Sequence, residues 1–515
     1  MSEQYILSID QGTTNVKACL VNQKGEIAAS ASSLLQLVYI GDDGVEQDPR
    51  VVWLTVKQLV RQVVSKAGVA AESIVGLICV GQYSSIVPVD ASGNPTMNMV
   101  MHLDSRGAPH KLRRYDGFKR DNLWKQFQWL RIHGVPPLKS GIDSVSHMRF
   151  IKYAHPAAYE RTATFLESVD FLTMKFCGRA TANQCTTLLM LGIDNRRPDK
   201  ATYHPKLISY SGIDRKKWPQ LIPKDAIAGV ILSEVAQELG LSPKTKIVTG
   251  VNDAQAGGVA TSAFKGTHGV ISIGTTGVII THVDFKRTDL KHLVVSAPSP
   301  IPDTYFIVAE NGLAGKVVEF FLEKLIYPND RFADHGVDEK FAALDKVLAS
   351  VPPGSNGLIF LPWLAGSTAP VEDIKMRGGI LNMSLDTTRE ALAKAAVEGV
   401  MFNLHWLGKA VEKFAKRSFS HLLFYGGGAQ SAETAQIMAD VFQLPVHRVA
   451  EPDYTVARGG AFLAFQRLGI LAYDDFERLL SIQTIVEPRR ETAGMYAERF
   501  EQFLAAFKKT RTLFK

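Results

Sequence analysis

What this chain of 515 residues has little of narrows its class before any motif is read. It holds four cysteines, Cys19, Cys79, Cys177 and Cys185, with no CxxC spacing among them. So few thiols in so long a chain exclude a disulfide framework, and they are expected to be reduced, mostly core residues. No run reaches the roughly 18 apolar residues of a membrane span, and the opening MSEQYILSIDQG has no charged leader followed by an apolar cleavage region. A cytoplasmic protein without a membrane partner is therefore expected. Long blocks of one charge are also missing. The net charge is +7 and the pI near 9.0, but the basic residues read as dispersed, with short clusters such as KLRR and KKTRTLFK. That pattern reads as a solvated basic surface with no nucleic-acid partner.

Several mechanistic signatures are absent as well. The run FYGGGAQS has Ser431 where a GxGxxG dinucleotide fingerprint requires glycine, and GKV at 315–317 lacks the upstream glycine and the Ser/Thr of a Walker A loop. No Ser-His-Asp ordering or His/Cys metal cluster stands out. What remains is ordinary for a globular protein: 46% hydrophobic and 21% charged residues, in a length that suits two to four domains.

The most informative positive feature occurs twice. DQGTTNVK (10–17) follows the alternating Tyr5, Leu7 and Ile9, and IGTTG (273–277) follows a second apolar stretch. In each turn a glycine lets the backbone approach an anion, while amide N–H groups and threonine hydroxyls can donate to phosphate oxygens. Gly12, Thr13, Thr14 and Lys17, with Gly274, Thr275, Thr276 and Gly277, are thus candidate ligands of one phosphate chain. Asp10 ends a predicted buried strand, where an unpaired carboxylate is costly, so a cation such as Mg²⁺ or a water shell is its expected partner.

The surrounding pattern supports two related α/β units. Residues 5–33 read as three strands with a turn at 22–25, followed by a helical face carrying Val52, Leu54, Val56, Leu59, Val60, Val63 and Val64, then a strand at 74–80. The second unit opens with a strand at 246–251 and repeats strand, turn and strand through Ile280. A strand at 306–308, helices at 315–326 and 388–416, a strand at 422–425, a helix at 432–442 and a strand at 446–449 complete it. The aromatic-rich stretch 104–240 resists a clean period and reads as an insertion that builds a specificity pocket. A hinge is expected at 251–258, where GVNDAQAGG joins a strand end to glycines, so that a cleft between lobes holds the ligands.

Asp253 stands at the start of the helix AQAGGVATSAF, where Asn252 or Asp253 is also a good N-cap. A helix N-terminus is expected to lower its pKa, leaving an ionised carboxylate able to receive a hydroxyl proton during phosphoryl transfer. Gly427, Gly428, Ala429 and Gln430, in the triplet that begins at Gly426, could let a flat ring lie against the backbone, with Gln430 or Gln436 bonding a ribose or base. Gln82, Tyr83, Asp104 and Arg106 follow strand ends and could bind sugar hydroxyls. Trp363 and His102 read as core or cleft wall.

Taken together in this order, these motifs resemble the FGGY carbohydrate kinases, members of the actin, sugar kinase and heat-shock ATPase superfamily. DQGTTNVK is similar to the first phosphate motif, GVNDAQAGG to the segment with the catalytic aspartate, ISIGTTG to the second phosphate motif and FYGGGAQS to the adenosine motif. GLIFLPWLAGSTAPVEDIKMRGGILNMS resembles the family signature. The resemblance implies two actin-like, ribonuclease H-like lobes, 1–255 and 256–515, around an interlobe cleft. It implies Asp253 as general base, Asp10 and Asp253 at Mg²⁺, ATP on the two turns, and a small sugar as partner. LDSRG resembles the Asp-x-Arg of xylulokinase-type members, which implies Asp104 as a sugar ligand and Arg106 as its support.

The chain also departs from that pattern. Gln82, Tyr83, Ser84 and Ser85 stand where xylulokinases carry Gln-Met-His-Gly, His102 and Leu103 occupy the region of their usual tryptophan, and Ser367 and Thr368 replace a common Glu-Arg. Tyr83 and Ser84 cannot replace the Arg-Glu pair of glycerol kinases. A ketopentose such as D-xylulose is the leading acceptor, with another polyol or a sugar acid such as gluconate as the alternative. Two readings of other classes are an actin- or chaperone-like ATPase, disfavoured by the lack of an appended peptide-binding domain, and a sugar-sensing regulator, disfavoured by retention of Asp10, Asp253 and both turns. A homodimer is the assembly considered.

Overall fold

The computed structural model describes residues 3–198, 200–329 and 340–513. Each half of the chain is built on a sheet with the same internal plan. Tyr5–Gln11 pairs antiparallel with Asn15–Asn22, which pairs antiparallel with Ile27–Leu34; on its other side Tyr5–Gln11 runs parallel to Ile74–Gly81, and that strand parallel to Lys246–Val248. In the C-terminal half, Gly269–Ile273 pairs antiparallel with Thr276–Val283, which pairs antiparallel with Tyr305–Leu313. Gly269–Ile273 also runs parallel to Leu422–Tyr425, and that strand to Val446–Val449. The duplicated turn motif therefore marks a duplicated sheet. Its central parallel strands are covered on both faces, which is why IVGLICVG and LLFY are apolar almost throughout.

The helix Pro49–Ala67 illustrates how local signals set the flanking layers. Asp48 accepts from the Arg50 amide as N-cap, Pro49 opens the first turn, and Gly68 ends the helix in the left-handed region at φ 61°. Val52, Val56, Leu59, Val60 and Val63 are buried, but Leu54, expected on the same face, is 59% exposed. It lies two residues from both Val52 and Val56, about 200° around the helix. The long helix Arg389–Ala415, capped by Thr388 and ended by Lys416 in the left-handed region, matches its expected span and is buried nearly all round. The expected helix at 315–326 is an α-helix, Gly315–Phe321, continued by a π-turn, Leu322–Ile326.

Two short helices lie between the sheets. Asp253–Ala260 packs against the C-terminal sheet, and Thr455–Arg467 reaches back to the N-terminal one. A Cβ on Gly257 would lie 2.0 Å from the Tyr425 hydroxyl, and one on Gly258 2.9 Å from Ile280. A Cβ on Gly460 would lie 2.7 Å from Val80, and one on Gly459 only 1.8 Å from the carbonyl oxygen of Ala256 on the facing helix. These glycines let two helices cross at backbone contact inside a core shared by both halves. Gly257 and Gly258 are therefore packed helical residues, not the flexible link expected at 251–258. Gly459→Ala should cost about 3 kcal/mol, since neither backbone can yield without moving a sheet; chemical denaturation would read it, and a loss below about 0.5 kcal/mol would contradict the crossing.

The middle region packs with segments that precede it. It contributes to a five-stranded sheet of Val38–Ile40, Gly44–Gln47, Met99–Val100, Ile86–Val89 and Thr164–Glu167, with the helices Leu123–Ile132, Ser144–Ala154 and Ser168–Cys177 around it. All four cysteines are buried and free.

Candidate active site

The two Gly-Thr-Thr turns end the first strand of each sheet, and both are pinned by backbone bonds. Gly12 N–H donates to Asn15 O at 2.9 Å, and Gly274 N–H to Thr276 O at 3.0 Å. Thr13 Oγ1 donates to Gln82 Oε1 at 2.7 Å, so the first turn is tied to the loop after Ile74–Gly81. The second turn seats the start of Gly315–Phe321: the amides of Ala314 and Gly315 donate to Thr275 O and Gly274 O, each at 3.0 Å. A Cβ on Gly315 would meet Gly274 O at 2.2 Å, which explains the glycine of GKV without a Walker loop. Gly274 itself has nothing within 4 Å of a built Cβ, so open space lies above that turn.

Three carboxylates near these turns are coupled through the charge of Asp253. Burial raises Asp253 to about 6, although hydrogen bonds from the Ala254 amide and Asn252 work in the opposite direction. The expected lowering by the helix N-terminus is thus outweighed by desolvation. Asp10 rises to about 7, first through burial and then through the charge of Asp253, with Lys17 opposing. Glu310, on Tyr305–Leu313, is pushed upward by the surrounding protein and by the charge of Asp253, with Thr276 opposing, although its side chain stays open to solvent. Asn252 caps the helix through Ala254 N–H at 3.0 Å, leaving Asp253 at its first position.

On the C-terminal side the glycine triplet has a divided role. Gly426 needs its positive φ of 86°, and a Cβ on Gly428 would collide with Ile273 at 2.9 Å, so both are required by the fold. Only Gly427, with nothing nearer than 4.0 Å, offers a bare face to a ring. Gln430 Nε2 donates to Asp453 Oδ2 at 2.6 Å and Lys17 Nζ to Asp453 O at 3.0 Å, so the two meet at one loop although they are far apart in sequence. Arg448 holds the carbonyls of Ala429 and Gln430. Gln436 is committed to Asp440 and Glu487 O.

On the acceptor side the polar residues, Gln255 joining those expected, separate into two groups. Gln82 Nε2, the Tyr83 hydroxyl and Gln255 Oε1 are buried without a protein partner. Tyr83 lies near enough to Asp253 and Cys185 for their charges to raise its pKa further, after burial has done most of it. Gln255 Nε2 donates to Pro298 O, toward which Cys185 Sγ also points at 3.9 Å. Asp104 and Arg106 are committed to one another. The Asp104 carboxylate is wholly buried and accepts from Val45 N–H at 3.0 Å, Arg106 N–H at 2.9 Å and the Arg106 guanidinium at 2.6 Å, while Arg106 also binds Glu46 at 2.6 Å. Its donors come from Val45 and Arg106, and the carboxylate is closed to solvent in this arrangement. Trp363 is core, donating to Asn403 and packed on Phe503 and Phe507.

A family model for the N-terminal domain of the FGGY carbohydrate kinases matches residues 5–260, and one for the C-terminal domain matches 269–467. The chain belongs to the FGGY family of carbohydrate kinases. Among relatives, it is 25% identical to a xylulose kinase of Staphylococcus epidermidis, over 100% of this chain and 98% of that one. It is 23% identical to a gluconokinase of Bacillus licheniformis, over 97% and 95%. Its fold is similar to a gluconate kinase from Lactobacillus acidophilus, with a TM-score of 0.86 at 20% identity, over 100% and 99% of the two chains.

For an FGGY kinase, the residues present suit a magnesium nucleotide. Among the described residues no three His, Cys, Asp or Glu side chains make a complete metal cage. Mg²⁺ needs none, since one or two carboxylates plus substrate phosphates and waters complete its shell. Asp10 and Asp253 are of the right chemistry, and their mutual repulsion is the kind a cation relieves. Sequence reasoning missed Glu310 and Gln255. Gln255 sits two residues after Asp253 in a stretch read only for its glycines, and Glu310 carries no motif, because the pairing of its strand with Thr276–Val283 alone brings it to the turn.

Proposed function

We propose that this FGGY kinase transfers the γ-phosphoryl group of ATP to a hydroxyl of a ketopentose, with D-xylulose the leading acceptor. The observation that supports the reading is the charge coupling of Asp253 with Asp10 and with Tyr83, together with the unpaired polar atoms Gln82 Nε2, Tyr83 Oη and Gln255 Oε1. Asp253 accepts the proton of the attacking hydroxyl as its oxygen forms a bond to the γ-phosphorus, and the bond from that phosphorus to the β-γ bridging oxygen breaks. Gly12, Thr13, Thr14, Gly274, Thr275 and Thr276 hold the phosphates in line, and Gly427 accepts the adenine ring. Mg²⁺ held by Asp10 and Asp253 would neutralise phosphate charge. The polar groups of Gln82, Tyr83 and Gln255 orient the sugar, and each is costly to leave unpaired.

The gluconokinase relative supports a second reading, in which the acceptor is a sugar acid. A panel of D-xylulose, gluconate and glycerol, followed by ADP release, separates them. D-xylulose is expected to exceed gluconate by at least about tenfold in kcat/KM. The reverse order makes the enzyme a sugar-acid kinase, and ADP release that needs no sugar would favour the ATPase reading.

A further inference from the structure

Six of the chain's seven net positive charges fall in one short stretch. Residues 108–139 contain eight Lys or Arg against two Asp, so the basicity that reads as dispersed is concentrated on one part of the insertion. The helix Leu123–Ile132 lies within it, held by Gln128, Trp129 and Ile132 on its buried side. Its other side is apolar and bare: Leu123 is 82% exposed, Trp124 62% and Phe127 53%. Lys111 and Lys125 pair with Asp43 and Asp121, and Asp121 is further held by Arg149. Arg113, Lys119, Arg120, Arg131 and Lys139 are exposed and form no ion pair among the described residues. Arg120 and Arg131 bracket the apolar stripe at either end.

We propose that this face docks on the surface of a bilayer containing anionic phospholipid. A protruding aromatic and aliphatic stripe flanked by free cations can bury its rings at the headgroup boundary while the cations meet lipid phosphates. A second copy of the same face is disfavoured, because a two-fold contact would bring two strongly positive patches together. Nucleic acid is disfavoured by the stripe itself. Trp124 and Phe127 stack on one another, with centroids 5.9 Å apart at 29°, and the most exposed member, Leu123, is aliphatic and has no ring to offer a base. The contact is peripheral, since no described helix is long and apolar enough to cross a membrane. It does not depend on which acceptor the kinase uses.

The test is co-sedimentation of the full-length protein with vesicles of phosphatidylcholine alone, or with about 30 mol% phosphatidylglycerol. Binding to the anionic vesicles should exceed that to neutral ones by at least about tenfold and weaken as salt is raised. Trp124→Ser/Phe127→Ser and, separately, Lys119→Glu/Arg120→Glu should each lose about tenfold in binding while keeping kcat in solution and thermal stability. Equal partition to both vesicles, no partition to either, or unchanged binding by both variants overturns the proposal. So does retention on single-stranded oligonucleotide without vesicle binding, or a dimer abolished by Trp124→Ser/Phe127→Ser in a protein that ignores lipid.

Discussion

Asp253→Asn should lower kcat by about 10³-fold while the protein stays folded. The amide keeps the size of the carboxylate and an oxygen to accept from Ala254 N–H, which now lies 2.7 Å from Asp253 Oδ1. What disappears is the capacity to take a proton. Because burial already disfavours charge at this position, the neutral side chain should leave the melting temperature unchanged or raise it. The same burial fixes a pH dependence in the unsubstituted enzyme. A base works only when ionised, and Asp253 sits at about 6, so kcat/KM should be at its plateau above that value and fall as pH drops through it. A pH series at saturating ATP, with ADP release as readout, measures both effects. Retention of kcat to within tenfold in the variant would remove Asp253 from the base role, and an acid limb nearer 4 would show that the helix N-terminus outweighs desolvation after all.

How far the sequence carries depends on whether a feature is set locally. Helix 389–415 was legible because Thr388 caps it and its pattern is unbroken, and both sheets were legible because apolar strands lead into recognisable turns. The strands Gly44–Gln47 and Ile86–Val89 were not, since each is four residues long and gains its identity from partners distant in the chain. Long-range packing also explains the glycines. A stretch such as AGG reads as flexible in isolation, yet Gly257 and Gly258 are small because Tyr425, far along the chain, and Ile280, on Thr276–Val283, lie against them. The candidate site divides in the same manner. Asp10, the turns and Asp253 were found because they lie within contiguous motifs, whereas Glu310 reaches the cleft only through strand pairing. The helix N-terminus beside Asp253 is visible in sequence, whereas the burial that pushes its carboxyl the other way is not.

Asp104→Ala separates a sugar ligand from a structural anchor, and the geometry favours the anchor. The substitution leaves the Val45 and Arg106 amides and part of the Arg106 guanidinium without acceptors in a site closed to water. Glu46 still neutralises Arg106 and is itself held by Asn98 at 3.1 Å, so the loss is that of one arm of a network. A buried ion pair broken on one side typically costs about 3 kcal/mol or more, an appreciable fraction of a domain's stability. The cost should appear as a melting temperature lower by several degrees. The network joins the strand Gly44–Gln47, the loop around residue 104 and, through the Arg106 guanidinium 4.4 Å from the Phe150 ring, the helix Ser144–Ala154. Those elements support the loop of Gln82 and Tyr83, since Ser84 Oγ donates to Ile142 O at 2.6 Å. Measured at a temperature where the variant is folded, the KM for sugar should therefore move by less than about threefold. A KM raised by tenfold or more with the melting temperature preserved would instead return Asp104 to the sugar, and would require the insertion to open in the substrate complex beyond the arrangement seen here.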